Sequence, residues 1–285
     1  MSAVTIGTGW GFNLGDAQYY ALIAFNPHNF QGTANSPIYG NVGVGAYSGI
    51  QLANDTITGN LVTTGAVPSK TGGHVTGTVT GHNTTLAADI TGLEALSKAA
   101  GLETGTVITL HNGQTIQANK GTWDSHGNQV FTVTNWADNI TIHGSDTQNV
   151  IINVPAGVKF TLDNLHLTGG ITPNTVLINY LGTDEVHGVN KDTFQGTVLA
   201  PNAKINVDGV NLLGHLFGGA PGQDFQWVSG ANVHNTPPGW QPCMTSGAEH
   251  DPLQSDAANH ASNDLYDHVN SLVQVLHGHD VLGIF

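Results

Sequence analysis

The sequence contains no arginine, and its six basic residues are all lysine. Charged residues make up only 9% of the chain, against roughly 25% in an average globular protein, and the formal net charge is −14. Nucleic-acid binding requires a basic surface, so that class of function is excluded. Bidentate clamps for phosphates or carboxylates are not expected either, because they depend on guanidinium groups.

Cysteine and long apolar runs are also scarce. Cys243 is the single cysteine, which rules out an intrachain disulfide and leaves a half-buried thiol or, as the alternative, an intermolecular bridge. No segment approaches the length of a membrane span, and no basic N-terminal run precedes an apolar one, so a Sec-type signal is not predicted. The acidic composition and the apolar ending resemble substrates of type I secretion, which predicts a secreted or bacterial cell-surface protein.

Glycine is abundant instead, at 38 of 285 residues, and threonine and asparagine are frequent. A surface with few charges must be covered by such residues, which suits stacked β-rungs better than helices. The run Phe194–Gly219 shows this pattern most clearly. It predicts the strands Gly196–Ala200 and Lys204–Val207, joined by a Pro-Asn corner and followed by an Asp-Gly corner.

Within this run, GTVLAPNAKINVDG followed by GHLFGG resembles the signature of the choice-of-anchor A domain of bacterial surface and secreted proteins. The resemblance is close over Gly196–Gly219 and looser over Asn149–Gly182. It implies a compact β-solenoid, an architecture that is distantly similar to that of ice-binding adhesin domains.

A weak repeat of the form [IV]-x-G-[NT]-[VL] supports the same fold. Its glycines are Gly40, Gly59, Gly77 and, in a poor fourth copy, Gly92, at spacings of 19, 18 and 15 residues. Spacings in this range predict a β-solenoid with rungs of roughly 18 residues, because a single rung cannot bury its own inward face. The repeated glycine is expected at a corner where the chain approaches its neighbour closely.

One helix interrupts the strands. Apolar residues at helical spacing predict it over Leu86–Ala100, with Thr85 as its cap, packed along one flank of the solenoid. The apolar run Tyr19–Phe25 is predicted to be a buried strand that caps the solenoid or leads into it. Further strands are predicted throughout residues 106–181.

The composition changes after residue 234, so residues 1–234 are predicted as the solenoid domain and residues 235–285 as a Pro-rich linker and tail for assembly or export. Ser262–His277 has the pattern of an amphipathic C-terminal helix. The predicted assembly residues are apolar: Leu265, Val269, Leu272, Leu276 and Phe285.

Catalytic patterns are weak. The polysaccharide lyases built on β-helices need a basic residue, usually arginine, and the hydrolases need converging carboxylates. Asp184-Glu185 is the single adjacent acidic pair and lies in a predicted turn, and no Gly-x-Ser-x-Gly motif is present. The sequence therefore predicts no enzyme, and a polysaccharide-active β-helix remains the disfavoured alternative.

Two segments are candidates for metal binding. Gly218–Phe225 resembles a calcium-binding turn of the repeats-in-toxin type, with one additional residue and Asp224 as the ligand. In the tail, His277, His279 and Asp280 form the best local cluster of metal-ligating residues. Calcium is the one cofactor that this anionic chain suggests.

Threonine-rich units offer a different function. Thr56-Ile-Thr58, Thr76-Gly-Thr78-Val-Thr80 and Thr132-Val-Thr134 would order water on an ice lattice if they were aligned on one flat face, although threonine is also simply a good strand residue.

The preferred hypothesis is a non-enzymatic extracellular structural or adhesive protein that self-associates into a fibre, surface layer or biofilm matrix. Its partners would be further copies of itself and other matrix components, since solenoid ends are templates for strand addition. An ice-binding β-solenoid is the alternative.

Overall fold

The computed structural model describes residues 4–6, 11–33, 35–69, 71–188 and 192–235. These residues form 25 short strands and one α-helix, α1 (Thr84–Leu102). In chain order the strands are β1 (Thr5–Ile6), β2 (Phe12–Asn13), β3 (Tyr20–Ala24), β4 (Asn29–Thr33), β5 (Ile38–Tyr39), β6 (Asn41–Val44), β7 (Gly49–Ala53), β8 (Thr56–Ile57), β9 (Leu61–Thr63), β10 (His74–Val75), β11 (Val79–Thr80), β12 (Thr106–Thr109), β13 (Thr115–Gln117), β14 (Thr122–Trp123), β15 (Asn128–Asn135), β16 (Ile140–His143), β17 (Asn149–Val154), β18 (Leu165–Thr168), β19 (Val176–Tyr180), β20 (Val186–Gly188), β21 (Thr193–Ala200), β22 (Ile205–Asp208), β23 (Asn211–Gly218), β24 (Phe225–Val228) and β25 (Asn232–His234).

The strands wind into a β-solenoid, as the sequence predicts, and the solenoid has three faces. The helix face contains β3, β6, β9, β11, β12, β15, β17, β19 and the second halves of β21 and β23. The histidine face contains β5, β8, β10, β13, β16, β18, β25 and the first halves of the same two long strands. The amide face contains β20, β22, β24, β4 and β7. Apart from short antiparallel pairs of β1 with β2 and β14 with β15, the strands pair in parallel.

The rungs do not stack in the order of the sequence. Along the helix face the order is β12, β15, β17, β19, β21, β23, β3, β6, β9 and β11. Strand β3 therefore lies between β23 and β6 in the middle of the stack. The prediction that Tyr19–Phe25 caps or leads into the solenoid is wrong, because both of its edges are paired. Phe194–Gly219 is likewise central.

Helix α1 carries the chain from β11 to the opposite end of the solenoid, next to β12. Its predicted position beside the solenoid is confirmed, but it begins at Thr84 and its cap is Asn83, whose Oδ1 accepts a hydrogen bond of 2.8 Å from the Leu86 N–H. Thr85 is inside the helix. The buried side of α1 packs on outward side chains of the helix face. Gly92, the fourth predicted repeat copy, lies in this helix and is not a corner.

The remaining repeat glycines form a stacked corner. A Cβ atom on Gly59 would lie 2.6 Å from the backbone carbonyl of Gly40, and one on Gly77 would lie 2.8 Å from the Gly59 oxygen. The residue after each glycine ties the rungs together, since Asn41 Oδ1 accepts from the Asn60 N–H at 2.9 Å. The repeat therefore encodes close backbone approach together with a side-chain ladder.

The same device explains the run that carries the choice-of-anchor A resemblance. Strands β21 and β23 bend from the histidine face to the helix face at Gly196 and Gly214, which have φ of 146° and 137°. A Cβ on Gly214 would collide with the Gly196 carbonyl oxygen. Inward residues of both strands, such as Val198 and Leu216, are fully buried in the core. The run Phe194–Gly219 therefore has a structural role in the solenoid.

Candidate functional site

The helix face is closed to ligands over its middle rungs because α1 covers it. Asn153 and Asn179 belong to one outward column, yet both are buried by the helix. The Asn179 Nδ2 donates to Asn153 Oδ1 and to the Ser97 carbonyl, both at 2.9 Å. The Asn153 Nδ2 donates to the Ala100 carbonyl at 2.7 Å. These polar contacts fix the helix, so the stacked Asn153 and Asn179 have a structural role.

The amide face presents a regular column of polar side chains to solvent. Its members, here called the amide column, are Asn206, Gln226, Gln31 and Gln51. The strands that carry them pair in parallel without a register shift. His187 continues the column beyond Asn206, and Thr161 continues it beyond His187. The Gln226 Nε2 donates to Gln31 Oε1 at 2.9 Å.

Buried side chains on the same strands fix the position of the amide column. The residues that alternate with the amides are buried, and Phe30, Phe225 and Trp227 among them are fully buried. Phe30 and Phe225 stack with ring centroids 5.4 Å apart. Because neighbouring strands lie about 4.8 Å apart, the amide groups repeat at that spacing along the solenoid axis.

Beside the amide column runs a second outward column of small or methyl-bearing side chains. Thr33 pairs with Ala53. Val228 occupies the same column one strand further along, because the residue before it, Trp227, pairs with Gly32, the residue before Thr33. Thr33 and Ala53 are exposed, and Val228 is half-buried. The half of the amide face formed by β24, β4 and β7 thus offers amide groups and methyl groups side by side, with Asp224 as the acidic residue at its corner.

The other half of the amide face carries charge. Glu185 accepts hydrogen bonds from Lys204 Nζ at 2.9 Å and from Asn206 Nδ2 at 2.7 Å. Burial alone would raise the pKa of the Glu185 carboxyl, but the hydrogen bonds from Lys204 and Asn206 outweigh it and lower that pKa. Glu185 is therefore ionised and engaged with its neighbours, which is a structural role and no sign of a catalytic acid.

The histidine face is less regular. Its outward side chains include His143, His166, His234 and His74 on separate rungs. The ring of Tyr39 stacks on that of His234 with centroids 4.3 Å apart, and Tyr39 is 41% exposed. These rings project from the middle of the face and interrupt any flat array.

The predicted Thr-x-Thr units do not form one array. Thr56 and Thr58 lie on or beside β8 of the histidine face, and the Thr76 N–H binds the Ile57 carbonyl in the next rung. Thr80 lies on the helix face. Thr132 and Thr134 lie on β15, near the opposite end of the solenoid. The condition for ice binding by these units, alignment on one flat face, is therefore not met: Thr56–Thr58 and Thr76 lie on neighbouring rungs of the histidine face, but Thr132 and Thr134 lie on another face near the opposite end.

Among the predicted metal ligands, Asp224 lies in the described part of the chain. Its Oδ1 accepts from the Asn29 N–H at 3.1 Å and from Asn29 Nδ2 at 3.0 Å, so it ties two rungs together. No group of three or more His, Cys, Asp or Glu side chains placed to hold a metal ion occurs within the described residues. His277, His279 and Asp280 lie outside them, so calcium binding stays a prediction.

The predicted assembly residues also lie outside the described residues: Leu265, Val269, Leu272, Leu276 and Phe285. Their role in assembly stays a prediction. In the portion of the chain that the structure describes, no helix is both long and apolar enough to cross a membrane.

Sequence reasoning missed the amide column, although its signal was present. Each member follows a buried apolar residue and precedes another inward one, as in Ile50-Gln51-Leu52 and Phe225-Gln226-Trp227. The two halves of this pattern, near residues 30–52 and 205–227, are far apart in the chain. Their alignment becomes visible through the pairing of β24 with β4.

The described residues thus define a β-solenoid with one regular polar face. This chain belongs to the family described as "Putative Ice-binding-like adhesive domain", whose model matches residues 2–234. A search of curated proteins gave no match.

Solved structures show the same fold. An ice-binding protein from the Antarctic ascomycete Antarctomyces psychrotrophicus is 16% identical, with a TM-score of 0.54 over 79% of this chain and 98% of that one. A glycosylated ice-binding protein (LeIBP) from Arctic yeast is 15% identical, with a TM-score of 0.52 over 87% of this chain and 98% of that one. An ice-binding protein from an Antarctic Flavobacteriaceae bacterium is 17% identical, with a TM-score of 0.51 over 86% of this chain and 51% of that one.

These matches confirm the predicted solenoid and its side helix. They also support the predicted architectural similarity to ice-binding domains, whereas they do not show the choice-of-anchor A family. The family and its structural neighbours are adhesive or ice-binding proteins and not enzymes.

Proposed function

We propose that this chain is a non-enzymatic extracellular domain that adheres to an extended, ordered surface, and that this surface is ice. The binding site in this proposal is the half of the amide face formed by β24, β4 and β7. The family and the fold support ice as the ligand. The single observation that carries the choice of face is the unbroken register of the amide column from Asn206 to Gln51.

The physical reason lies in the first layer of water. Amide groups that repeat at about 4.8 Å would hold water molecules at a regular spacing, because each amide both donates and accepts hydrogen bonds. The methyl groups of Thr33, Ala53 and Val228 next to them restrict the orientation of the adjacent water. Rigidity matters as well, since a surface that is already ordered loses little conformational entropy on adsorption.

The other two faces fit this role less well. The helix face is covered by α1 across its middle, where Ile151 and Leu177 are fully buried beneath the helix. On the histidine face the stacked rings of Tyr39 and His234 stand in the middle of the sheet. Ice adsorption by threonine rows, the alternative suggested by the sequence, would need an alignment that the three Thr-x-Thr units lack.

The test is the thermal hysteresis and ice-recrystallisation inhibition of the full chain and of two matched variants. Gln31→Lys places a long charged side chain in the centre of the proposed site. His166→Lys makes the same change at an exposed position of the histidine face. We expect activity in the wild type and in H166K and its loss in Q31K, with all three chains equally folded by circular dichroism.

Three outcomes would contradict parts of the proposal. Absence of hysteresis in the folded wild type would exclude ice as the ligand. Loss of activity in H166K with retention in Q31K would move the site to the histidine face. Equal activity in all three chains would exclude both the amide face and the histidine face as the ice-binding site. Location at a bacterial surface and type I secretion belong to this proposal as predictions from the sequence.

A further inference from the structure

The two ends of the solenoid carry strand edges that pair with no further strand among the described residues. At one end, here called the β12 end, β12 and β13 pair with β15 and β16 only. At the other, the β11 end, β11 and β10 pair with β9 and β8 only. An open strand edge presents a row of backbone donors and acceptors that can bind another strand.

The core is incomplete at both ends. On the helix face, Val79 continues the inward column of Leu61, yet Leu61 is 0% exposed and Val79 is 36% exposed. Val75 and Ile108, which also belong to end rungs, are partly buried and pack against the same core. Each inner rung is covered by the next one, so a further rung would be needed to bury these side chains.

Exposed apolar side chains lie at both ends as well. Val107 on β12 is 67% exposed and Trp123 on β14 is 57% exposed. Near the β11 end, Val67 is 52% exposed. Such side chains on an edge favour association, whereas natural edge strands that stay single are commonly blunted with charges.

Negative charge is missing from both end segments. The chain has 20 acidic residues, but residues 56–88 and residues 104–123 contain no Asp or Glu. Two of the six lysines, Lys70 and Lys120, fall in these segments. In a protein with a net charge of −14, copies repel each other, and these two segments add no negative charge to that repulsion.

The directions of the edge strands determine how two copies can meet. Strands of the helix face run parallel from β12 at one end to β11 at the other, and those of the histidine face run parallel from β13 to β10. A second copy shifted along the solenoid axis would therefore place its β12 beside β11 and its β13 beside β10, in parallel. Both faces would continue through the junction.

We infer that the ends stack head to tail, so that the β12 end of one copy binds the β11 end of a second copy. Such a contact joins two different surfaces and does not close on itself, so it generates linear filaments. The inference goes beyond ice binding and is independent of it. A filament would carry many copies of the amide face, and so many binding sites, along one assembly.

The test uses lysine substitutions in the full chain, with mass measured by sedimentation velocity and multi-angle light scattering as concentration increases. Val107→Lys alters the β12 end and Val79→Lys alters the β11 end. Tyr39→Lys, on the histidine face between the ends, is the matched control. We expect the mass of the wild type and of Y39K to rise with concentration, and the rise to be lost in V107K and in V79K.

Mixing the two end variants distinguishes head-to-tail contacts from symmetric ones. V107K retains an intact β11 end and V79K retains an intact β12 end, so an equimolar mixture should form a species of twice the chain mass and nothing larger. A wild type that stays monomeric, or end variants that associate like the wild type, would overturn the inference. Dimers of V79K alone would show a symmetric contact between β12 ends instead. Thermal melts of each variant check that loss of association is not loss of folding.

Discussion

The side chains of Asn153 and Asn179 lie one above the other beneath α1, with Asn179 Nδ2 2.9 Å from Asn153 Oδ1. Both side chains also bind backbone carbonyls of the helix, and Ser97 Oγ donates to Asn179 Oδ1 at 2.6 Å. A polar pair in this position gives the helix one defined register on an otherwise apolar face. An apolar pair would bind the helix without specifying where it sits.

Replacing Asn179 with alanine should lower the free energy of unfolding by about 2–3 kcal/mol, because Ser97 Oγ and Asn153 Oδ1 lose their partner while buried. Chemical denaturation followed by circular dichroism measures the change. Asn119→Ala, at an exposed position after β13, is the control and should be nearly neutral. Equal stability of N179A and N119A would show that the ladder contributes nothing to helix docking.

The corner glycines can be tested with a pair of alanine substitutions. Gly59→Ala should destabilise the chain by about 1–3 kcal/mol, since its Cβ would meet the Gly40 backbone and force the rungs apart. Gly65→Ala serves as the control, because the nearest atom to its Cβ would be Tyr47 Cε1 at 3.7 Å. We expect G65A to keep the wild-type melting temperature. A G59A chain with that same temperature would contradict the stacked-corner explanation.

Asp89 on α1 is buried, and its Oδ2 lacks a hydrogen-bond partner within the described structure. Burial, together with the charge of nearby Asp16, raises the pKa of the Asp89 carboxyl from 3.8 to about 7. The folded state thus holds this proton more tightly than the unfolded state. Stability from this group is present below pH 3.8 and is lost as the pH rises towards 7.

Asp89→Asn should therefore stabilise the chain at pH 7–8 by at most about 4 kcal/mol, given about 1.4 kcal/mol per pKa unit. Urea unfolding at a series of pH values checks this, and the gain should vanish near pH 3. The titratable groups that face Asp89 are Asp16 and Tyr20, and neither is changed in this variant. A gain independent of pH would show that ionisation of Asp89 is not the cause.

His215 makes the stability depend on pH in the opposite direction to Asp89. Its Nδ1 donates to the Tyr20 carbonyl at 2.7 Å, and complete burial lowers the pKa of the imidazole from 6.5 to about 4. Stability from this group is present above pH 6.5 and is lost as the pH falls towards 4.

In the D89N background, where the opposing contribution of Asp89 is removed, stability should fall by up to about 3 kcal/mol between pH 7 and pH 4. The double variant D89N with His215→Gln should lose most of this pH dependence, measured by the same urea titration. Comparison of the two at pH 8, where His215 is neutral, gives the cost of the lost packing separately. Parallel pH profiles would exclude His215 as the acid-sensitive group.

Local patterns were sufficient for the elements of this fold. Helical spacing from Leu86 to Ala100 predicted α1 to within two residues at each end, and the glycine repeat predicted the corners at Gly40, Gly59 and Gly77. These predictions succeed because a helix period and a close backbone approach leave their mark on neighbouring residues. The predicted rung length of roughly 18 residues was not confirmed.

Alignment between distant segments could not be predicted in the same way. Nothing near Tyr20–Ala24 indicates that β3 pairs with β23, some two hundred residues later. For that reason the unit Thr132–Thr134 lies on a different face, and near a different end, from Thr56–Thr58 and Thr76. The amides of Gln31 and Gln226, which look unrelated, form a direct hydrogen bond.

The sequence by itself therefore determined that this protein is a low-charge, glycine-cornered β-solenoid with a side helix, because alternation, glycine spacing and composition act over a few residues. Only the tertiary structure decided which rungs are neighbours, which face carries the amide column and which edges are left open at the ends. Parallel strands can pair at any open edge with similar hydrogen bonds. The choice among partners depends on core packing and on the return path of α1, neither of which is a local property.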